Sequence, residues 1–287
     1  MKFDLHCHTK EGSMDSKVSL EEYVKQFSDK GFDGFMICDH NSYNGCRAWD
    51  EMEADPYSMV NSLEYKDFTV LRGMEYDTKD AGHVLVVLPD GVYPSVLHIR
   101  GMQLHRLILL VHKLGGVLGP AHPYGVATAS MMGFRNKNLS WLHHIDFVEV
   151  FNTCELPDSN LLAHCLAEAY HLPGIAGSDS HVNDYVGMAW TDIDADIHCN
   201  NDFIAAIKAK TPIAAGGVER EICTKGQYKE NWFGRSAYLL YNRGIAKLRS
   251  PRRGIHHIIL KSKHHHTKPL FRKRGKNKLE WRKPRGK

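Results

Sequence analysis

The chain has 287 residues, of which 43% are hydrophobic and 24% are charged, a composition typical of soluble globular proteins. This length suits one large domain or two small ones. The longest aliphatic run, residues 107–111, is far too short to cross a bilayer, and the first strand begins too early to leave space for a secretion signal. The seven cysteines are scattered without a C-x-x-C pair, which argues against disulfides or a zinc ribbon and predicts a cytoplasmic location.

The charge is divided unevenly along the chain. Residues 244–287 carry 16 Lys and Arg against one acid, whereas residues 1–243 carry 21 Lys and Arg against 32 acids. The formal net charge of +4 therefore combines an acidic body of −11 with a basic tail of +15. A segment with so much charge of one sign and few apolar residues resists folding. We predict that the tail is disordered and binds nucleic acid by releasing counterions; solubilisation, or docking to ribosomes or anionic membranes, are the alternatives.

Strands and helices alternate along the body. The predicted elements are, in order, strand 3–7, a helix from the capping box at 19–22 to about residue 31, strand 34–38, a partly helical stretch at 42–66, strand 68–71 ending at residues 73–75, strand 83–88, helix 102–114, strand 117–121, strand 147–152, helix 159–170, strand 174–177, helix 201–210 and a last strand at 212–217. Two helices are expected to bury one stripe each, namely Leu104, Leu107, Ile108 and Val111 in the first, and Leu162, Cys165, Leu166 and Ala169 in the second. A closing helix is expected within 226–250. This alternation predicts an α/β fold with a parallel sheet, closed or open.

Two histidines stand two residues apart in the first strand. Because successive strand residues point to opposite faces, His6 and His8 project to the same side. Such a pair alone is more often structural than metal-binding. Acidic and histidine residues also follow later strands, however: Asp39, His40, Glu75, His122, Glu149, Asp179 and His181. In a parallel α/β fold these strand ends lie on one face, so we expect the side chains to form one polar cluster.

The residue types in this cluster indicate which metals it binds. Imidazole and carboxylate ligands without thiolates suit Mn, Zn or Fe. The candidates outnumber the ligands of one tetrahedral ion, which predicts two or three divalent metal ions with Glu75 as a bridge. Ions about 3.5–4 Å apart hold a hydroxide and clamp the oxygens of an in-line displacement at phosphorus. Phosphate esters are the expected substrates, with amides and lactones as alternatives because similar clusters cleave them.

Six motifs together resemble the PHP (polymerase and histidinol phosphatase) family. They occur in the family's order within residues 1–215: D-L-H-C-H-T at 4–9, C-D-H-N at 38–41, G-M-E at 73–75, A-H-P at 121–123, E-V-F-N at 149–152 and G-S-D-S-H at 177–181. The resemblance implies a distorted, TIM-like (β/α)7 barrel whose trinuclear metal centre hydrolyses phosphoesters. It implies a PHP domain at 1–243, closed by segment 216–243 and followed by the basic tail at 244–287. The amidohydrolase superfamily also begins with H-x-H, but the S-D-S-H ending favours the PHP family.

The resemblance also implies a set of metal ligands. It assigns His6, His8, Glu75 and Asp179 to a first metal, Glu75, His83 and His122 to a second, and Asp15, His40 and His181 to a third. The acidic ligand after H-x-H varies in spacing within the family, so Glu11 competes with Asp15 for that position. His83 follows Glu75 by only eight residues, which fits the shorter members of the family.

Five further residues are expected to support the chemistry. Asp39, Glu149 and Asn152 are predicted to act in catalysis by orienting ligand histidines. Arg135 and Lys137 follow the strand that ends at His122, and we expect them to grip a substrate phosphate; a solvated loop is the alternative.

These features predict a metal-dependent phosphoesterase, a phosphoric ester hydrolase. The expected substrates are nucleotides or nucleic-acid ends, with oligonucleotides delivered by the basic tail. One alternative is a small-molecule phosphatase of the histidinol-phosphatase kind. The other, from a different class, is a nucleic-acid-binding protein whose barrel has no catalytic role.

Overall fold

The computed structural model describes residues 1–125, 129–133 and 139–221. Its strands are β1 (Lys2–Cys7), β2 (Gly34–Ile37), β3 (Thr69–Asp77), β4 (His83–Val87), β5 (Val117–Pro120), β6 (Val148–Asn152), β7 (Gly174–Gly177), β8 (Ala189–Ile193) and β9 (Ile213–Gly217). Its α-helices are α1 (Leu20–Asp29), α2 (Asn44–Ala54), α3 (Leu104–Lys113), α4 (Pro157–Tyr170) and α5 (Asn200–Ala209). Arg135, Lys137, the predicted closing helix and the basic tail lie outside the described residues. In the described part of the chain, no helix is both long and apolar enough to cross a membrane.

Helix α1 begins and ends where the sequence predicts. The Ser19 hydroxyl accepts a hydrogen bond from the Glu22 N–H, and the Glu22 carboxylate accepts one from the Ser19 N–H, so the capping box is complete. Gly31 follows the helix with a φ of +69°, a left-handed conformation that glycine adopts without a steric penalty. The helix therefore has local signals at both ends. Helix α3 likewise buries its predicted stripe, consisting of Leu104, Leu107, Ile108 and Val111.

Helix α4 buries a different stripe from the predicted one. Of the four predicted residues only Leu166 is buried, and the buried positions are Asn160, Ala163, Leu166 and Ala167. The Asn160 side chain accepts a hydrogen bond from the Asn152 N–H at 3.0 Å and donates one to the Asn152 carbonyl oxygen at 3.2 Å. The buried face of α4 therefore combines these polar contacts with three apolar residues, Ala163, Leu166 and Ala167.

The sheet is mixed, which corrects the prediction of a parallel one. Seven strands pair in the order β5-β4-β3-β2-β1-β8-β9, and β6 and β7 form a parallel pair of their own. Strands β1, β2 and β3 are parallel, whereas β4 is antiparallel to both β3 and β5, and β8 is antiparallel to both β1 and β9. Only a turn separates β3 from β4, and strands joined without a crossover helix pair antiparallel. The sequence did not predict β8.

Backbone hydrogen bonds connect the two-stranded pair to the larger sheet. The Asp179 N–H, just after β7, donates to the His6 carbonyl oxygen of β1 at 2.8 Å. On the other side, the Asp146 N–H donates to the Leu118 carbonyl oxygen of β5 at 2.8 Å. The result is a mixed α/β fold with a curled sheet, in which the ends of β7 and β1 lie side by side.

Apolar packing covers both faces of the sheet. In β2, Phe35 and Ile37 contact the core that contains the buried residues of α1 and α3, whereas Met36 joins a second core with Phe203 and Ile207 of α5. Burial of both faces fixes the position of each strand. The strand ends that carry the candidate ligands are positioned by this packing.

Candidate metal centre

Glu75 is the centre of the cluster. Its Oε1 lies 2.8 Å from His83 Nδ1 and 3.0 Å from His122 Nε2. Its Oε2 lies 2.9 Å from His40 Nδ1 and 3.5 Å from His8 Nε2. Each carboxylate oxygen therefore faces a separate pair of imidazoles, the arrangement expected of a group that bridges two ions.

The β3–β4 hairpin brings His83 to Glu75. Strand β3 continues to Asp77, so Glu75 lies inside the strand rather than beyond its end as predicted. Strand β4 runs in the opposite direction, and His83 at its start pairs with Asp77 at the end of β3. In a wholly parallel sheet the start of a strand would lie at the edge of the sheet opposite the other candidate ligands. The antiparallel turn explains why a histidine at the start of a strand reaches the cluster.

His6 and His8 project together, as the strand periodicity predicts. Their Nε2 atoms are 3.2 Å apart, and Asp179 Oδ1 lies 3.2 Å from His8 Nε2 and 3.8 Å from His6 Nε2. Two nitrogens bound to one tetrahedral zinc ion at about 2.0–2.1 Å are themselves separated by roughly 3.3 Å. The spacing of these three side chains therefore fits a shared ion.

Asp15, His40 and His181 form the solvent side of the cluster. Asp15 Oδ2 lies 3.5 Å from His40 Nε2 and 3.6 Å from His181 Nε2. The imidazoles of His40 and His181 are 31% and 27% exposed, whereas those of His6 and His8 are fully buried. The competing Glu11 instead accepts a weak hydrogen bond from the first amide of α1 at 3.4 Å. The structure thus brings Asp15, and not Glu11, to the other candidate ligands.

The donor atoms converge in sets. Among the described residues, three sets have ligand atoms that all lie within 4.8 Å of one another: His8, His40 and His181; His6, His8 and Asp179; and His40, Glu75 and His83. Glu75 Oε2 is buried and makes no hydrogen bond, although two imidazole nitrogens lie within 3.5 Å of it. An unsatisfied buried oxygen is costly, and a bound cation would satisfy it. The residues present therefore fit divalent metal ions.

The electrostatics of the cluster favour the ligating forms of two side chains. Burial acts to raise the pKa of the Glu75 carboxyl, but His83, His40 and His6 hold that pKa well below its usual range. Burial lowers the pKa of His8, and the nearby His181 and His40 lower it further. A lowered pKa favours the carboxylate form of Glu75 and the neutral imidazole form of His8, and these are the forms that bind metal.

Glu149 holds the cluster in place through hydrogen bonds. Its Oε1 accepts hydrogen bonds from His6 Nδ1 at 2.8 Å and from Asn152 Nδ2 at 3.1 Å, and its Oε2 accepts one from the His122 N–H. A carboxylate only accepts, so the His6 proton stays on Nδ1 and Nε2 is left to face the candidate metal position. Such contacts orient ligating histidines and raise their basicity. Glu149 thus contacts His6 directly, whereas Asn152 contacts Glu149 and reaches the histidine only through it.

Asp39 has different contacts from those predicted. It accepts hydrogen bonds from the Thr9 N–H at 2.7 Å, the Thr9 hydroxyl at 2.8 Å and the Ser13 hydroxyl at 3.0 Å. The Ser13 hydroxyl in turn lies 3.4 Å from His8 Nδ1. Asp39 thus holds the loop after β1 and reaches a ligand histidine only through Ser13, because the loop residues occupy both of its oxygens.

Backbone strain is concentrated around the cluster. Five described residues other than glycine have positive φ, and three of them are Asn41 (+48°), His122 (+28°) and Asp179 (+53°). Such conformations are costly and persist only where the surrounding structure enforces them, as it commonly does at functional sites. Two of the three carry candidate ligand side chains, and the third follows His40.

A family match and a solved structure identify the fold. Residues 157–212 match the family model described as PHP-associated. The chain is similar to a two-domain protein from Bacteroides vulgatus containing a predicted PHP-like metal-dependent phosphoesterase, with a TM-score of 0.50 at 16% identity over 76% of this chain and 65% of that chain. The chain therefore has the fold of a protein that contains a PHP-like domain, and its family match is confined to residues 157–212. Comparison with curated protein sequences gives no match.

Two further solved structures share the fold of this chain. PsfC from Pseudomonas syringae has a TM-score of 0.53 at 17% identity, over 82% of this chain and 98% of that chain. Endonuclease Q, in complex with a 27-mer duplex substrate with an abasic lesion at the active site, has a TM-score of 0.52 at 16% identity. That match covers 76% of this chain but only 60% of the endonuclease Q chain. At these identities the likeness shows the fold.

Asp77 lies at the edge of the cluster, although no sequence motif points to it. Its Oδ1 lies 2.7 Å from His83 Nε2, and its carboxylate also contacts Arg100 and Asn41. Burial opposes the shift, but His83 and Arg100 hold the pKa of the Asp77 carboxyl well below its usual range. Asp77 stands two residues after Glu75 in β3 and so shares its face of the strand. That i, i+2 spacing was the available signal.

Proposed function

We propose that this PHP domain hydrolyses phosphoesters with two or three divalent ions, of Mn, Zn or Fe. The observation that carries the proposal is the Glu75 carboxylate, whose two oxygens each face two histidine nitrogens at 2.8–3.5 Å. A carboxylate between two imidazole groups suits a pair of ions, and paired ions are the common device for displacement at phosphorus. We further propose that the curled sheet and its β6–β7 pair form the distorted (β/α)7 barrel of the family, within residues 1–243.

We propose the assignment of ligands that the family resemblance implies, which agrees with the donor set of His6, His8 and Asp179, whereas His40 lies in the set with Glu75 and His83 as well as in the set with His8 and His181. His6, His8, Glu75 and Asp179 would hold the first ion, Glu75, His83 and His122 the second, and Asp15, His40 and His181 the third. The first two groups are almost wholly buried, whereas the third opens to solvent. A substrate would therefore approach over His40 and His181, with its phosphate directed toward Glu75.

Hydrogen bonds from neighbouring residues hold the candidate ligands of the site in place. Bound divalent ions supply an activated water and neutralise phosphate oxygens. Glu149 holds the proton of His6 on Nδ1, and Asn152 donates to Glu149 and holds that carboxylate in place. Asp77 lies against His83 Nε2 and leaves Nδ1 turned toward Glu75. These contacts pre-orient the imidazoles before substrate arrives, which lowers the cost of reaching the reactive geometry.

A nucleic-acid substrate is supported by two observations. The endonuclease Q structure, which shares this fold, holds a DNA duplex with its lesion at the active site. The acidic body, with a formal charge of −11, repels a polyanion, whereas residues 244–287 carry +15. We therefore propose that the tail delivers nucleotides or nucleic-acid ends to the metal centre, with binding that weakens steeply as salt rises.

The test is a substrate panel in Mn-supplemented buffer. It contains nucleotides, oligonucleotides phosphorylated at the 5′ or 3′ end, and sugar phosphates. His8→Ala should abolish turnover, because His8 Nε2 lies within 3.5 Å of both Glu75 and Asp179. His112→Ala is the matched control, since His112 pairs with Asp146 outside the cluster and should leave turnover unchanged. Full activity in His8→Ala would refute the assignment of the metal centre.

The recessed position of the centre favours a second candidate, a phosphatase for small phosphorylated molecules. A terminal phosphate reaches a site whose outermost imidazoles are only 27–31% exposed more easily than an internal one. Removal of residues 244–287 separates the two candidates. If the tail delivers nucleic acid, its loss lowers oligonucleotide turnover at low salt and leaves sugar-phosphate turnover intact. Unchanged oligonucleotide turnover would count against delivery by the tail.

A nucleic-acid-binding protein without catalysis predicts no bound ions. Metal analysis of protein purified without chelator distinguishes this candidate from the two enzymes. Two or three ions per chain support an enzyme, and less than one would refute the metal centre.

A further inference from the structure

Arg220 is a buried cation beside the candidate metal centre, and no sequence motif points to it. It follows β9 and is only 9% exposed. Its Nε donates to Thr153 Oγ1 at 2.9 Å, and its Nη2 donates to the carbonyl oxygens of Ser178 at 2.6 Å and Asp179 at 3.0 Å. The ring of Tyr185 covers the guanidinium, with Cζ 3.6 Å from the ring centroid. A single side chain thus binds both residues of the turn after β7.

Arg220 is not held by an acid. Among the ion pairs of the described residues none involves Arg220, whereas Arg72, whose side chain is 12% exposed, pairs with Asp50 and Glu53. Burial of a guanidinium costs free energy that only well-made hydrogen bonds or a counter-charge offset. Arg220 directs its donors to the backbone of one turn. Its role is therefore tied to the shape of that turn.

The turn is strained and carries a candidate ligand. Asp179 has a φ of +53°, which a residue with a side chain adopts only when its surroundings enforce it. In this conformation Asp179 Oδ1 lies 3.2 Å from His8 Nε2. The two hydrogen bonds from Arg220 oppose relaxation of the turn, because a change in ψ at either Ser178 or Asp179 would rotate a carbonyl away from the guanidinium.

The same carbonyl also orients His181. The Asp179 carbonyl oxygen lies 3.0 Å from His181 Nδ1 as well as 3.0 Å from Arg220 Nη2. A carbonyl accepts, so the His181 proton is on Nδ1, and Nε2 is left to face Asp15 at 3.6 Å. Arg220 therefore acts on two candidate ligands through one backbone group.

We propose that Arg220 is a positioning residue that locks the Ser178–Asp179 turn and so holds Asp179 and His181 in their metal-binding orientations. This inference rests on the metal centre proposed above. It names a residue that acts through the ligands rather than on the substrate. Its loss should weaken metal binding while the affinity for substrate, once the ions are bound, stays the same.

The experiment compares Arg220→Met with Arg72→Met in the full chain. Chelator-treated protein is titrated with Mn by calorimetry, and turnover of a phosphoester is measured at low and at saturating Mn. For Arg220→Met we expect at least one ion to bind 10–100-fold more weakly, the usual effect of removing a group that orients ligands. Excess Mn should restore kcat with an unchanged KM, and added methylguanidine should recover part of the Mn affinity. Arg72→Met should bind Mn like the wild type.

A second variant covers the case in which Arg220→Met does not fold. Arg220→Lys keeps the cation but cannot span both carbonyls, so Mn affinity should fall by a smaller factor, about tenfold. If the Arg220 variants bind Mn with wild-type affinity and differ only in a lower Tm, Arg220 has a purely structural role and the proposal is overturned. Wild-type Mn affinity with a raised KM would overturn it in favour of direct substrate contact. Failure of the wild-type protein itself to bind Mn would refute the metal centre, a result distinct from the other two.

Discussion

Replacement of Glu149 by glutamine tests the support behind the cluster. Both carboxylate oxygens of Glu149 accept hydrogen bonds, Oε1 from His6 Nδ1 and Asn152 Nδ2, and Oε2 from the His122 N–H. Glutamine has only one oxygen, so in either amide orientation its NH2 group faces at least one buried N–H donor. Loss of a charge-assisted hydrogen bond costs about 1.5–3 kcal/mol, and an unsatisfied buried donor costs about 1–3 kcal/mol.

We therefore expect the free energy of unfolding of Glu149→Gln, measured by urea titration in the presence of chelator, to fall by about 3 kcal/mol. At about 2–4 °C per kcal/mol, Tm should drop by roughly 6–12 °C. Because His6 loses its orienting partner, metal affinity should also fall about 10–100-fold. Glu22→Gln is the control, since that exposed capping-box residue should cost less than about 1 kcal/mol and leave metal affinity unchanged. Glu149→Gln unfolding within about 0.5 kcal/mol of wild type, with full metal affinity, would refute the reasoning.

Three further outcomes are expected. Asp77→Asn should remove the charge that lies 2.7 Å from His83 Nε2, and metal analysis after dialysis should show about one ion fewer per chain; full retention would contradict the assigned role. Gly177→Ala should have a much lower free energy of unfolding than the control Gly91→Ala. A Cβ at Gly177 would lie 2.1 Å from the Cβ of His6, whereas a Cβ at Gly91 meets nothing within 4 Å. The control should cost about 1 kcal/mol because Gly91 has a positive φ. Removal of bound ions by a chelator should lower Tm, because a ligand present at about 1,000 times its Kd stabilises a protein by roughly 4 kcal/mol. The same Tm with and without Mn would argue against bound ions.

Much of the fold could be predicted because its signals are local. The capping box at Ser19 and Glu22 and the glycine at position 31 determine both ends of α1 without help from the rest of the chain. The sequence predicts the strands β1, β2, β6 and β7 to within a residue or two, since β2 and β7 are short apolar runs and β1 and β6 contain apolar residues at alternate positions.

Long-range contacts account for what could not be predicted. Strand β8 pairs antiparallel with β1, at the other end of the described chain, and with β9. The full length of β3 depends likewise on its partner β4. A short stretch of sequence does not specify which distant strand pairs with it.

The candidate site likewise has a part that the sequence predicts and a part that only the tertiary structure determines. The sequence by itself determined that His6 and His8 share a face, and that Asp179 and His181 stand two residues apart, because strand geometry alternates side chains regardless of context. Only the tertiary structure decided that His6 and His8 lie within 3.6 Å of Glu75 and that Asp179 lies within 3.8 Å of both histidines.

His83 and Arg220 show the physical reason most clearly. Strand direction decides whether His83 lies beside Glu75 or at the opposite end of the sheet, and the short connection that makes β4 antiparallel becomes visible only once β3 is seen to extend to Asp77. Arg220 reaches the turn at Ser178 and Asp179 across more than forty residues of chain. Local chemistry selects which residues can act as ligands, whereas the packing of distant strands determines which of them come within reach of the same ion.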